Sequence, residues 1–164
     1  MNLRAAAAIA VVVVASLGGA TAFAQTAGDR RLVDRLVTRW ERSWNTYDLR
    51  EVDSVFWSDR SVTYFSSERA GLIRGIDALR EHHAGFGFVA GGKAVRTRLW
   101  LTDTTTRWHS GVATVLATWH FRREDGTTQS GPVTLVISPR GRGFRITHAH
   151  FANAPPVAPP PPPR

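Results

Sequence analysis

The chain has 164 residues, a formal charge of +8 and no cysteine. The missing thiol excludes thiol catalysis, iron–sulfur clusters and cysteine-ligated zinc, and leaves the fold to stand on its core without disulfides. The positive charge is nearly all arginine, scattered along the chain with no long run, so it is not the footprint of a nucleic-acid binder.

Residues 1–24 have the pattern of a secretory signal peptide. Arg4 supplies the positive end, an apolar run extends from Ala5 to about Leu17, and Ala22-Phe23-Ala24 offers the cleavage site before Gln25. The apolar run is shorter than the roughly 20 residues a spanning helix needs. A periplasmic or secreted location is expected, with no membrane span after cleavage. Residues 25–30 read as a linker, 31–153 as one domain, and 154–164 as a proline-rich tail that favours an extended polyproline helix.

The first helix is expected over about Asp29 to Asn45. Leu32, Leu36, Trp40 and Trp44 recur every four residues, and Asp29 is the expected N-cap. A second, shorter helix begins at Asp48, which has capping-box spacing to Glu51. Ser61 to Ser66 forms a short strand, a loop passes through Gly71, and a third helix, IDALREHH, follows Gly75 and ends near Gly85.

From there the chain is rich in strands: Val95 to Asp103, Gly111 to Arg122, Thr127 to Ser138 and Gly143 to Phe151. Glu124-Asp125-Gly126 marks a hairpin turn, and Gly131-Pro132 marks a bulge or bend. Helices first and antiparallel strands after is an α+β pattern, with three helices packed on one face of a strongly curved sheet. Such a sheet makes a cone whose wide end is a ligand pocket.

Several stretches together resemble the SnoaL-like branch of the NTF2-like superfamily, which includes the ketosteroid-isomerase-like group. They are WNTYD (Trp44 to Asp48), VTYFSSERAGLIRGIDALREHH from Val62, and the closing GFRITHAHF from Gly143. The resemblance implies a cone, often dimeric through its sheet, that works without metal or other cofactor. It does not fix one chemistry, because relatives include isomerases, cyclases, dehydratases, hydrolases, binders and oligomerisation domains.

The last strand carries the sharpest expectation. With strict alternation Phe144, Ile146, His148 and His150 share one face, and the cone would turn that face inward. His148 and His150 are then the candidate proton-transfer residues, with Tyr64 as oxyanion donor. Trp44, Phe144, Ile146, His120 and His83 are the candidate pocket wall. Of the adjacent pair His82 and His83 only one can face the cavity, and the other is expected at the surface.

Acidic residues fall in turns, caps and helix faces; Asp103, at a strand end, is the one exception considered. A carboxylate base of the ketosteroid-isomerase type is therefore not expected. The leading reading is an exported domain that binds a small, partly apolar molecule, with cofactor-free isomerase, cyclase or dehydratase chemistry as its enzymatic form. One alternative is a non-catalytic homodimer or interaction module. The other is a metal-dependent enzyme on the His148/His150 pair, completed by His82, His83, His120 or Asp103.

Overall fold

The computed structural model describes residues 25–155. The expected signal peptide and nearly all of the proline-rich tail lie outside the described residues. Three helices, α1 (Ala27–Thr46), α2 (Leu49–Val55) and α3 (Ile76–Gly85), pack on one six-stranded sheet. The strands are β1 (Thr63–Phe65), β2 (Leu72–Arg74), β3 (Arg98–His109), β4 (Val112–Arg122), β5 (Thr128–Arg140) and β6 (Gly143–Phe151). Their order across the sheet is β2-β1-β6-β5-β4-β3. The sheet is open and mixed rather than purely antiparallel, because β1 runs parallel to β6. The α+β cone expected from the sequence is thus the observed fold.

α1 starts two residues earlier than its periodicity implied. Thr26 is the N-cap: its hydroxyl accepts from the Asp29 backbone N–H at 3.0 Å, and the Asp29 carboxylate accepts from the Thr26 backbone N–H at 3.0 Å. Asp29 is therefore the third helical residue of a capping box, and residues 27–30 are helix rather than linker. Val33, Leu36, Trp40, Ser43 and Trp44 form the buried face. At the other end Asn45 reaches the edge strand β3. Its amide accepts from the Leu99 N–H at 2.6 Å and donates to the Leu99 carbonyl at 2.9 Å, pairing with that backbone as a neighbouring strand would.

Asp48 caps α2 as expected, but it bonds the Arg50 N–H; Glu51 turns away to pair with Arg42 at 2.5 Å. β2 escaped the sequence reading because three residues between two glycines are too few to show alternation. β3 continues past Asp103, where the register shifts between Thr102 and Thr105 and Asp103 adopts φ 53°. No bulge forms at Gly131-Pro132, since the β4–β5 ladder passes through both without a shift. Gly131 serves close approach instead: a Cβ there would lie 1.9 Å from the Ala152 carbonyl oxygen.

The decisive irregularity lies in β6. Ile137 pairs with Ile146, but Val136 pairs with His148, so Thr147 is an extra residue. Its hydroxyl donates back to the Val136 carbonyl at 3.2 Å. A bulge of one residue exchanges the faces of everything after it. Phe144 and Ile146 point inward as expected, whereas beyond the bulge Ala149 and Phe151 are the buried residues. Phe151 then meets Trp40, Trp44, Tyr64 and Trp119 at centroid distances of 5.5, 6.0, 5.8 and 5.6 Å. Phe151→Ala should cost about 3–5 kcal/mol of unfolding free energy in urea titrations, and a loss below about 1 kcal/mol would contradict its central place.

Candidate functional site

A cavity of about 180 Å³ opens between the helices and the inner face of the sheet. The C-terminal turn of α1 supplies Trp44, and the residue that ends it, Tyr47, sits in the left-handed conformation at φ 54°. Phe86 follows α3, and Tyr64 comes from β1. The sheet adds Leu99 from β3, Trp119 and Phe121 from β4, and Phe151 from β6. Seven aromatic rings thus enclose the space. Its rim is polar: Ser66, Ser67 and Glu68 follow β1, Arg123 follows β4, and Gln129 begins β5.

One hydrogen-bond donor, the Tyr64 hydroxyl, opens on the cavity without a protein partner among the described residues, and a second unbonded donor lies sealed behind the wall. The Trp44 indole nitrogen is buried and unbonded. Tyr64 is 2% exposed, and burial alone acts on its hydroxyl, pushing its pKa up; the phenol stays protonated and able to donate. By contrast, the Trp119 indole donates to the Ala152 carbonyl at 3.0 Å, and the Tyr47 hydroxyl accepts from the Thr97 hydroxyl at 3.2 Å. The inner wall therefore offers the Tyr64 hydroxyl to a neutral acceptor and, among the described residues, holds no imidazole or carboxylate.

Of the expected site residues, Trp44 and Tyr64 line the cavity, and the others do not. His148 and His150 lie on the outer face of the sheet, because the Thr147 bulge reverses the alternation that placed them inside. The His148 Nδ1 shares a 2.8 Å hydrogen bond with the Thr63 hydroxyl, and both imidazoles lie beside the Phe65 ring. His120 is also outside, stacked on Trp100 at 5.1 Å and bonded to Thr102; it alternates with Trp119 and Phe121, which take the inner face. Phe144 and Ile146 point inward but fill core away from the cavity. Phe144 packs on Trp108, and Ile146 bridges to Phe56.

His83 is the fully buried member of its pair, set behind the cavity wall against Trp44, Phe88 and Tyr64. The Leu79 carbonyl, 2.9 Å from Nδ1, can only accept, so Nδ1 carries the proton and Nε2 is left without a partner. His82 is half-buried rather than a surface cap. Among the described residues no three His, Asp or Glu side chains gather where a metal ion could bind. The third ligand required by the metal reading is therefore missing from the surroundings of His148 and His150. Asp103 is exposed in the β3 bulge, and the acidic group that does reach the cavity is Glu68, at the rim.

The missed residues had a readable signal in part. Trp119 and Phe121 share one face of a regular strand, whereas Phe151 is revealed only by the switch of apolar parity from Phe144 and Ile146 to Ala149 and Phe151. The rim comes from loops and strand ends that meet only in three dimensions.

Burial holds His83 at about 4, below its ordinary 6.5. As pH falls, the unfolded chain takes this proton first. The stability is full above about 6.5 and is lost as pH falls toward 4. Between pH 7.5 and 5 the loss from His83 should be about 2 kcal/mol, read from urea unfolding at the two pH values. His82 and His148, also lowered by burial, act in the same sense. His83→Phe should flatten the dependence, and an unchanged slope would remove His83 as its main source.

A family model described as the SnoaL-like domain matches residues 25–146. No curated protein matches the chain. Among solved structures, an NTF2-like superfamily protein from Salmonella enterica serovar Typhimurium is similar, with a TM-score of 0.67 and 20% identity, covering 82% of this chain and 96% of that one. A cystatin-like-fold protein from Nostoc punctiforme has a TM-score of 0.66 and 19% identity, over 80% and 96% of the two chains. The CaMKII hub of S. rosetta has a TM-score of 0.62 and 19% identity, over 76% and 95%. At these identities the likeness is one of fold. Taken with the span of the family match and the helices-on-sheet cone, the chain belongs to the SnoaL-like domain family.

Proposed function

We propose that this domain binds a small, largely apolar, ring-sized molecule whose neutral acceptor, such as a carbonyl oxygen, meets the Tyr64 hydroxyl. The carrying observation is an aromatic cavity whose wall presents the unpartnered Tyr64 hydroxyl. Its volume of about 180 Å³ compares with about 150 Å³ for an engineered apolar cavity that takes benzene. Burying an unpaired O–H costs free energy that a ligand oxygen would recover. If turnover occurs, the same hydroxyl would stabilise an enolate oxygen. The base would have to come from the rim, where Glu68 is the available carboxylate.

Export to the periplasm or beyond belongs to the same proposal, supported by the charged, apolar and small-residue pattern of residues 1–24. A homodimer formed through the outer sheet face is a second reading. It is favoured by the row across β2, β1, β6, β5 and β4 that sets Leu72, Phe65, His150, Thr134 and Leu116 side by side, with Phe65 37% exposed.

Native mass spectrometry of the purified chain, expressed with its own N-terminal segment, reads cleavage before Gln25, subunit count and any co-purified molecule together. Binding is measured by quenching of tryptophan fluorescence with acetophenone and with toluene as the acceptor-free control. Acetophenone should bind more tightly, and Tyr64→Phe should weaken it by about 3–10-fold, the value of one net hydrogen bond, with little effect on toluene. No saturable quenching by either compound would overturn the cavity reading.

A further inference from the structure

The rim has its own chemical preference. Arg123 stands at the mouth, exposed, and among the described residues it enters no ion pair, whereas Arg42, Arg50 and Arg80 are each matched to a carboxylate. Its guanidinium is nevertheless held in place, since it donates to Oε1 of Gln129. The orientation of that amide is forced. Its Nε2 donates to Glu68 at 2.9 Å and to the Asn153 side-chain oxygen at 2.5 Å. A carboxylate can only accept and a guanidinium can only donate, so no flipped amide satisfies both neighbours. Gln129 thus turns its donor end to Glu68 and its acceptor end to Arg123. The Glu68 Oε1 also takes a long bond from the Ser67 hydroxyl at 3.5 Å, so this acid is engaged by its neighbours. Arg123 stands at the mouth with a neutral amide as its side-chain hydrogen-bond partner; the Asp125 carboxylate feels its charge but is bonded by Thr127 and forms no ion pair with it.

We infer that the ligand is a ring-bearing monocarboxylate, its apolar body in the aromatic cavity and its carboxylate on Arg123 at the mouth. This rests on the cavity reading above and adds the charge of the ligand to it. The aromatic interior dictates the orientation, because an ionised carboxylate taken inside would lose its hydration and meet only a neutral donor. At the mouth the same group stays partly hydrated and gains a planar, two-pronged partner. Gln129 is a positioning residue: it touches Arg123 and fixes where the guanidinium points. The opposite polarity, an ammonium on Glu68, is the rival that the rim chemistry must be tested against.

The test uses three probes of one shape: 3-phenylpropanoate, 3-phenylpropanamide and 3-phenylpropylammonium, titrated into the full chain at low salt and in 0.5 M NaCl. The acid should bind about 5–10-fold more tightly than the amide at low salt, as for a charge-assisted, partly hydrated pair. That advantage should shrink in high salt. Arg123→Gln should bring the acid-to-amide ratio to about one, and Gln129→Ala should lower it part of the way, a change that a general loss of structure would not produce. Equal binding of acid and amide to the unmodified chain would overturn the inference and leave the cavity standing. So would equal weakening of both by Arg123→Gln. Tightest binding by the ammonium would also overturn it and assign the mouth to Glu68. If none of the three binds, the cavity reading falls with it.

Discussion

Thr147 sits between two halves of a strand whose apolar residues fall on opposite parities. Phe144 and Ile146 take one side of the count, Ala149 and Phe151 the other, and both sets are buried. A regular strand could bury only one set. Without the extra residue, two imidazoles would enter an aromatic core while Phe151 left it, trading favourable ring burial for two polar groups in need of partners. With it, Phe151 stands where α1, β1 and β4 meet, and the rings of Trp40, Trp44, Tyr64 and Trp119 gather around it. The cavity is the space this cluster leaves unfilled, so its position depends on a one-residue irregularity in the last strand.

The cavity and the core are one continuous construction. Trp44 packs on His83, Phe86 and Phe88 from one side and contributes to the ligand-facing wall from the other. His83 behind it is neutral and half-satisfied, which suits a packing role for that imidazole: it supports the wall without reaching through it. The wall is therefore aromatic and uncharged, while the charged groups stay at the rim.

Much of the architecture was legible in the chain. Four-residue recurrence from Leu32 to Trp44 marks the first helix, Asp125-Gly126 marks a hairpin, and helices preceding long strands indicate the cone. The site was less legible because its letters mislead. The most conspicuous motif, His148-Ala149-His150, is reached by counting through Thr147, and counting by twos fails at a bulge. Trp119 and His120 alternate along β4, and alternation alone does not tell which of the two faces inward. Tyr64 and Trp44 were found because each lies in an element whose buried side is marked by its neighbours. The rim could not be found by local pattern at all, since Glu68, Arg123, Gln129 and Asn153 come together only through the return of the chain end along β5.

Asn45 gives this fold a chemical vulnerability at the edge strand, next to the Leu99 side chain that lines the cavity. Its side-chain amide stands in for a missing strand by presenting both an acceptor and a donor to Leu99. Deamidation would exchange that donor for a second carboxylate oxygen, placed against the Leu99 carbonyl oxygen. The change is one mass unit, yet it would convert a paired edge into an electrostatic conflict, with a backbone acceptor released to seek another partner. A change of one atom in a single side chain would thus be felt along the margin of the sheet.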